Sequence, residues 1–251
     1  MLPLGRLAHF ETRDIPAMLA AFPLAGAIMG ACVGACWHGL LQVLPFDFAT
    51  ALTVCIWVLL TRALHLDGLA DCADGLGGSY TREGRLKIMK DPHTGAFGVV
   101  AIVCVLLVKY AALHGYSVTD IFQFRRMRVQ GEDELQRRVL LLAMVMCVSR
   151  FGILAAACGS DYARAPESGL GKDFIASARI WVLLAGSVVP LALGVFAFEK
   201  HGLIAVAAIF STAMLLKFLF RRMLGGQTGD TLGATVEICE IVALALLVRR
   251  Y

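Results

Sequence analysis

Three aspartates stand close together in the first third of the sequence, at Asp67, Asp71 and Asp74. The spacing i, i+4, i+7 places them on one stripe of an α-helix, within about 60° of one another. Such carboxylates repel each other unless a cation lies between them, and Mg²⁺ often bridges carboxylates to substrate phosphates. A solvated helix end would more typically carry Glu and Lys. The spacing therefore predicts Mg²⁺ bound by all three aspartates, with Asp74 also a candidate catalytic residue.

A second group of candidates follows a glycine-rich segment near the C-terminus, at residues 225–233. A glycine-rich turn that opens a helix presents backbone N–H groups to an anion, which predicts substrate binding by Gly225, Gly226, Thr228 and Gly229. Asp230 and Glu237 are seven residues apart, so they share a helix face and are candidate catalytic acids. The alternative for Glu237 is a buried, protonated side chain. We expect this segment and the aspartate stripe to form two sides of one pocket.

Basic residues near these acids are candidate phosphate ligands. Lys87 and Lys90 are i, i+3 neighbours on a short helix that Pro92 ends. They either bind phosphate or mark a cytoplasmic segment. Arg150 lies within an apolar run, where an arginine usually faces the protein interior and pairs with an anion, although its side chain can also extend to the membrane surface. His65 is a weaker candidate substrate-binding residue, because a lone histidine is more often structural.

Several common catalytic motifs are missing from the sequence. It has no complete P-loop, no GxGxxG, no HExxH and no GxSxG. Nucleoside-triphosphate hydrolysis, hydride transfer and zinc hydrolysis therefore have no support. The eight cysteines show no CxxC spacing and are expected to be packing residues. The net charge of +4 is small and sits in the connections between apolar stretches, so nucleic acid is not an expected partner.

The composition predicts the elements that must position these residues. Of 251 residues, 59% are hydrophobic and 17% are charged, and the mean hydropathy is +0.75. Ordinary globular proteins carry about 25% charged residues. We expect one transmembrane catalytic domain over residues 1–251, all-α and embedded in a lipid bilayer, with about seven transmembrane helices; an oligomer is compatible with the sequence. The apolar stretches are 17–44, 48–64, 97–116, 139–159, 180–198, 203–220 and 234–248.

The lysines and arginines of the connections predict an orientation. With a cytoplasmic N-terminus, the external link 45–47 carries none of them and the following segment, 61–96, carries five. The polar pocket is therefore expected on the cytoplasmic side. Segment 117–138 also carries five, yet simple alternation places it outside. Either one span is miscounted or this segment departs from the rule. The residues alone thus predict a membrane-embedded, Mg²⁺-dependent phosphotransferase.

The motifs resemble those of the cobalamin synthase family, the adenosylcobinamide-GDP ribazoletransferases. The resemblance rests on two motifs. The first is residues 64–75, which read Leu-His-Leu-Asp-Gly-Leu-Ala-Asp-Cys-Ala-Asp-Gly. The second is residues 225–234, which read Gly-Gly-Gln-Thr-Gly-Asp-Thr-Leu-Gly-Ala and are followed by Glu237. Further similarity lies in Met89-Lys90-Asp91 with Gly95 and Phe97-Gly98, in 169–171, and in an N-terminal pattern that includes Thr12-Arg13 and Phe22-Pro23-Leu24. It covers nearly the whole chain in the same order, and it adds Asp91 to the candidate substrate-binding residues.

The resemblance implies a late step of cobalamin biosynthesis. Adenosylcobinamide-GDP and α-ribazole, or its 5′-phosphate, would give adenosylcobalamin or its 5′-phosphate, and GMP would leave. It also implies a multi-pass protein of the bacterial inner membrane that uses Mg²⁺. This chemistry agrees with the residues, since transfer at a pyrophosphate needs cations for the phosphate charge and a carboxylate near the attacking hydroxyl.

Two other classes share some of these features. An ion-coupled transporter would also carry intramembrane acids and glycine-broken helices, but here the acids concentrate at helix ends and no inverted repeat is visible. A CDP-alcohol phosphotransferase acting on a lipid head group carries Asp-x-x-Asp-Gly-x-x-Ala-Arg followed by Gly-x-x-x-Asp-x-x-x-Asp. This chain matches the acidic spacing only in part and lacks the Ala-Arg element, so that class ranks second.

Overall fold

The fold is known from a computed structural model that describes residues 15–116, 134–164 and 170–248. Thr12, Arg13, Gly169 and most of segment 117–138 lie outside the described residues. In the described ranges the only strand-like feature is an isolated parallel bridge between Tyr162 and Gln227, so the all-α class is confirmed. The helices are α1 (Ile15–Ala20), α2 (Phe22–Leu41), α3 (Phe46–Leu60), α4 (Leu64–Gly78), α5 (Arg82–Ile88), α6 (Ala96–His114), α7 (Glu134–Ala157), α8 (Leu170–Ser177), α9 (Ile180–Leu224) and α10 (Gly229–Leu247).

Helix α7 forms the centre of the bundle and is almost entirely buried. Helix α2 packs along it through glycines spaced four residues apart. A Cβ atom added at any of these glycines would collide with a backbone carbonyl of α7. The colliding pairs are Gly26 with Met146, Gly30 with Leu142, and Gly34 with Arg138. Small residues at this spacing let two helix backbones approach closely, which is a common basis of helix association in membranes.

Within the described residues, four helices are long and apolar enough to cross a membrane: α2, α6, α7 and α9. Helices α3 and α4 make a fifth candidate span if they are taken together, although they are bent by 86°. The bend falls where Arg62 and Ala63 adopt positive φ angles of 53° and 55°. Large apolar side chains are exposed on the outer helices, as at Leu107 and Phe196, which suits contact with lipid. A polytopic helical membrane protein is thus supported, while the number of seven spans stays a prediction.

Helix α9 contains a reversal of the chain. Glu199 has non-helical backbone angles (φ 48°, ψ −132°). A Cβ atom added at Gly202 would lie 2.5 Å from the Cα of Gly194. In a continuous helix these residues would be about 12 Å apart along the axis. The two halves of α9 therefore fold back on each other, in agreement with two separate apolar stretches at 180–198 and 203–220.

Candidate active site

The aspartate stripe lies on helix α4, whose span agrees with the spacing of the three residues. Asp67 is exposed, Asp71 is partly buried and Asp74 is buried. The opposite face of the helix packs into the core through Leu66, Leu69 and other apolar residues. The stripe therefore runs from solvent into the protein, and its members have different environments.

Asp74 is held by the start of helix α6. One carboxylate oxygen accepts a hydrogen bond from the Gly95 backbone N–H (2.7 Å), and the other accepts one from the Gly98 N–H (2.9 Å). A Cβ atom added at either glycine would collide with the carboxylate, which explains why glycine occupies both positions. Asp74 thus satisfies N–H groups at the N-terminus of α6, where a negative charge is also favoured. Its predicted metal-binding and catalytic roles stay predictions beside this structural one.

Helix α10 brings the C-terminal motif against α4. Thr228 caps α10, since its hydroxyl accepts from the Thr231 N–H (3.2 Å) and the Thr231 hydroxyl accepts from the Thr228 N–H (2.8 Å). An added Cβ at Gly68 would lie 2.7 Å from the Asp230 carbonyl oxygen, and one at Gly233 would lie 3.4 Å from the Cα of His65. The two acidic motifs, far apart in the sequence, are therefore in backbone contact.

Asp230 forms an ion pair with Arg164, which is not among the site residues predicted from the sequence. The same guanidinium nitrogen, Nη2, also donates to the Met89 carbonyl (3.2 Å). Arg164 follows a short backbone pairing in which Gln227 N–H donates to the Asp161 carbonyl (2.8 Å) and Ala163 N–H donates to the Gln227 carbonyl (2.9 Å). Arg164 lies in a polar loop with no periodic pattern, so no signal in the sequence distinguishes it from other arginines.

The charges around Asp71 are mostly negative. The charged groups that act on it are Asp230, Asp67, Arg164 and Asp74. Among the described residues, three carboxylates and one guanidinium thus act on Asp71. Since like charges at this proximity oppose ionisation of all members, the cluster is suited to receive additional positive charge. We call Asp67, Asp71 and Asp230 the outer acid cluster.

The predicted phosphate ligands on and after α5 lie at the protein surface. Lys87, Lys90 and Asp91 are all exposed. Asp91 accepts a hydrogen bond from the His93 backbone N–H (2.9 Å), and the His93 ring nitrogen Nδ1 lies 2.7 Å from the same oxygen. The His93 backbone hydrogen bond, followed by the side-chain one, holds the pKa of the Asp91 carboxyl below its usual value. Asp91 is therefore an anionic surface group, and its substrate-binding role stays a prediction.

The glycine-rich turn is largely occupied by protein contacts. Gly225 ends α9 with φ 81°, and a Cβ there would lie 2.5 Å from the Cζ of Arg82, whose guanidinium donates to the Ala163 carbonyl (3.2 Å). Gly226 and Thr228 are buried. An added Cβ at Gly229 would meet nothing within 4 Å. Of the four positions predicted to bind an anion, Gly229 thus has open space on the side where a side chain would start. Its backbone nitrogen lies close to α8, because a Cβ atom added at Gly171 would lie 3.2 Å from it.

Glu237 and Arg150 lie in a separate buried ionic network. Lys109 Nζ donates to Glu237 (2.7 Å) and to Glu240 (2.6 Å), and Arg150 pairs with the other oxygen of Glu240. All four side chains are at most 3% exposed. Glu237 is seven residues beyond Asp230, so the network lies about 10 Å further along α10. The structure therefore separates Glu237 and Arg150 from the outer acid cluster, with which the sequence analysis had grouped them.

His65 lies close to this inner network. Arg150, Glu240 and Lys109 all act on its ring electrostatically. Its Nδ1 atom is buried and makes no hydrogen bond to any described residue. Lys109 also lies 4.6 Å above the ring of Trp57. Lys109 and Glu240 could both have been identified from the sequence as candidate buried ionic residues. Each is a charged residue inside an apolar stretch, which is the same signal that identified Arg150.

The fold and the site together define an all-helical protein, over the described residues, with several apolar helices and a cluster of acidic side chains where α4 meets α10. The family model described as cobalamin-5-phosphate synthase matches residues 1–248. The chain belongs to this family.

Curated relatives named adenosylcobinamide-GDP ribazoletransferase cover most of the chain. The protein of Syntrophobacter fumaroxidans is 38% identical over 244 residues, 97% of this chain and 91% of the relative. The protein of Prosthecochloris aestuarii is 36% identical over 223 residues, which are 87% of this chain and 82% of the relative. The protein of Geotalea daltonii is 35% identical over 250 residues, which are 99% of this chain and 92% of the relative. No solved structure matches the chain. These matches agree with the family predicted from the sequence motifs.

Proposed function

We propose that this chain is an adenosylcobinamide-GDP ribazoletransferase. It joins α-ribazole or α-ribazole 5′-phosphate to adenosylcobinamide-GDP, forms adenosylcobalamin or its 5′-phosphate, and releases GMP, a late step of cobalamin biosynthesis. The single observation that carries this proposal is the contact between Gly68 and Asp230, which joins the two acidic motifs in one site. The names of the relatives support the reaction, and membership of the family supports its assignment to this chain.

Two residues of the outer acid cluster, Asp67 and Asp71, fit Mg²⁺. In the described part of the chain no group of three His, Cys, Asp or Glu side chains is arranged to hold a metal ion by itself. Mg²⁺ usually takes one or two carboxylates and completes its shell with water and substrate phosphates. Asp67 and Asp71 offer that donor set, because neither is committed to backbone hydrogen bonds as Asp74 is. When bound there, the ion supplies positive charge that offsets the charge of the pyrophosphate.

The side chains of this chain have separable tasks in the reaction. Asp230 is the proposed base: it takes the proton of the ribose hydroxyl, whose oxygen forms a bond to the cobinamide-linked phosphorus. The bond from that phosphorus to the bridging oxygen breaks, and GMP leaves with that oxygen. The exposed N-terminus of α10 at Gly229 supplies backbone N–H groups for a phosphate oxygen. Lys87 and Lys90 draw the anionic substrate toward the site from the surface.

The membrane arrangement is part of the proposal. We assign one transmembrane catalytic domain with seven spans, in which the two halves of α9 count separately and α3–α4 and α10 each contribute one. The reversal at Glu199 supports the division of α9. The pocket faces the cytoplasm of a bacterial cell, in the inner membrane, because the lysines and arginines of segment 61–96 favour that side.

The test is a reconstituted reaction with the purified full chain. Adenosylcobinamide-GDP, Mg²⁺ and α-ribazole 5′-phosphate should give GMP and the cobalamin product in equal amounts. A parallel reaction with α-ribazole compares the two acceptors. Asp71→Asn is the matched negative control, since it removes one charge from the acid cluster. If the wild-type protein releases no GMP, either with α-ribazole 5′-phosphate or with α-ribazole, the proposed function is wrong.

A further inference from the structure

Arg164 is a cation in direct contact with the outer acid cluster. Its Nη2 atom contacts both Asp230 and the Met89 carbonyl. Its Nε atom is buried and has no hydrogen-bond partner among the described residues. A buried N–H group without a partner costs free energy, so this N–H group, which no described residue satisfies, is a candidate donor to a bound anion. An arginine presents its N–H groups as a planar fork that matches two oxygens of one phosphate.

The backbone around Arg164 holds this side chain in place. The residues on either side of Tyr162 exchange two hydrogen bonds with Gln227, and the Ala163 carbonyl accepts a further one from Arg82. The loop that carries Arg164 is thereby joined to the turn before α10 and to α5. A guanidinium positioned by neighbouring backbone loses little freedom when it binds an anion.

Stability does not explain the Arg164–Asp230 pair. The two side chains are 19% and 21% exposed, so water reaches both. An ion pair that is partly open to water contributes only modestly to stability. The pair does place a positive charge beside one carboxylate of this acidic cluster.

We infer that Arg164 is a phosphate-binding residue of this site and that its pairing with Asp230 belongs to the substrate-free state. The inference rests on the proposed function and adds to it. The guanidinium binds the pyrophosphate of the nucleoside-diphosphate substrate through Nε and an Nη atom. Asp230 is thereby released to accept the proton of the attacking hydroxyl. Arg164 thus links arrival of the pyrophosphate to exposure of the base.

The first experiment measures equilibrium binding of GDP with Mg²⁺ to the purified full chain by titration calorimetry. Arg164→Gln should weaken GDP binding about tenfold or more, since a charge-assisted bidentate contact is lost. In turnover it should raise the KM for adenosylcobinamide-GDP and leave the KM for α-ribazole 5′-phosphate within about twofold of wild type. Arg222→Gln is the matched control, because it removes one exposed positive charge at the end of α9 and should bind GDP as the wild type does. Unchanged GDP affinity in Arg164→Gln would overturn the inference.

A second set of variants separates phosphate binding from a structural role. Arg164→Gln leaves Asp230 without its cation, so the thermal midpoint should fall slightly. In Arg164→Gln with Asp230→Asn neither partner is left charged, so this small fall should be reversed while GDP affinity should stay low. Recovery of GDP affinity in the double variant would contradict the inference. Arg164→Lys keeps the charge and the fold but lacks the planar fork, and it should also bind GDP more weakly. A wild type that binds GDP through Arg164 but releases no GMP would refute the proposed function and leave this inference standing.

Discussion

The backbone of Asp230 passes so close to Gly68 that a Cβ atom at Gly68 would lie 2.7 Å from the Asp230 carbonyl oxygen and 2.9 Å from its Cα. No side chain fits between them. This contact sets the separation of α4 and α10, and it therefore sets the distance between Asp71 on one helix and Asp230 on the other. The geometry of the acid cluster depends on a residue that carries no functional group.

Gly68→Ala is accordingly expected to destabilise the protein by about 1–3 kcal/mol, the usual cost of overpacking, and to reduce turnover strongly. The reason is that the two backbones must separate to admit a methyl group. Thermal unfolding in detergent and GMP release measure the two effects. Gly39→Ala is the matched control, because nothing lies within 4 Å of its added Cβ and alanine favours the helix. Wild-type turnover in Gly68→Ala would show that the contact is not required.

Asp71→Asn and Asp74→Asn are expected to fail in different ways. Asp74 accepts two backbone N–H bonds, and an amide can accept only one of them, so Asp74→Asn should lose about 1.5–3 kcal/mol of stability together with activity. Asp71 makes no such bonds in the described structure, and Asp71→Asn should lose activity with an unchanged thermal midpoint. Equal loss of stability in both variants would mean that the roles of the two carboxylates are not separable.

Much of the site was predictable because its signals are local. The spacing of Asp67, Asp71 and Asp74 is a property of one helix, and the apolar stretches around it are long enough to be recognised as helices. The engagement of Asp74 by Gly95 and Gly98 was not predictable, since it depends on how α6 docks against α4. The same holds for Arg164, whose partner Asp230 lies 66 residues away.

The division of the acids into two groups also required the structure. Helical spacing places Asp230 and Glu237 on one face, and that part of the prediction agrees with α10. Spacing does not reveal which neighbour each one meets. Glu237 forms an ion pair with Lys109 of α6 and so belongs to the buried network. Asp230, in the first turn of α10, remains partly exposed to solvent.

Lys109→Met is expected to be among the most destabilising single changes in the bundle. Of the ion pairs in the described residues, it leaves the two buried carboxylates with that of Arg150, and breaking one partner of a buried pair typically costs about 3–5 kcal/mol. Lys109→Met with Glu237→Gln should recover part of the loss, because the remaining Arg150–Glu240 pair is neutral as a whole. Purified yield and the thermal midpoint in detergent are the measurements. A double variant no more stable than Lys109→Met would mean that Glu237 is not charged in the native network.

Lys87→Met and Lys90→Met keep an apolar stem and remove one exposed charge each. If these lysines draw in the pyrophosphate, each change should raise the KM for adenosylcobinamide-GDP by a few fold and affect the KM for α-ribazole 5′-phosphate less. The effect should shrink at high ionic strength, because exposed charges are screened within about 8 Å at physiological salt. Lys200→Met, at the exposed reversal of α9, removes the same charge far along the chain and is expected to leave both KM values unchanged. Equal effects on both substrates, or effects that salt does not alter, would indicate that Lys87 and Lys90 act on folding instead.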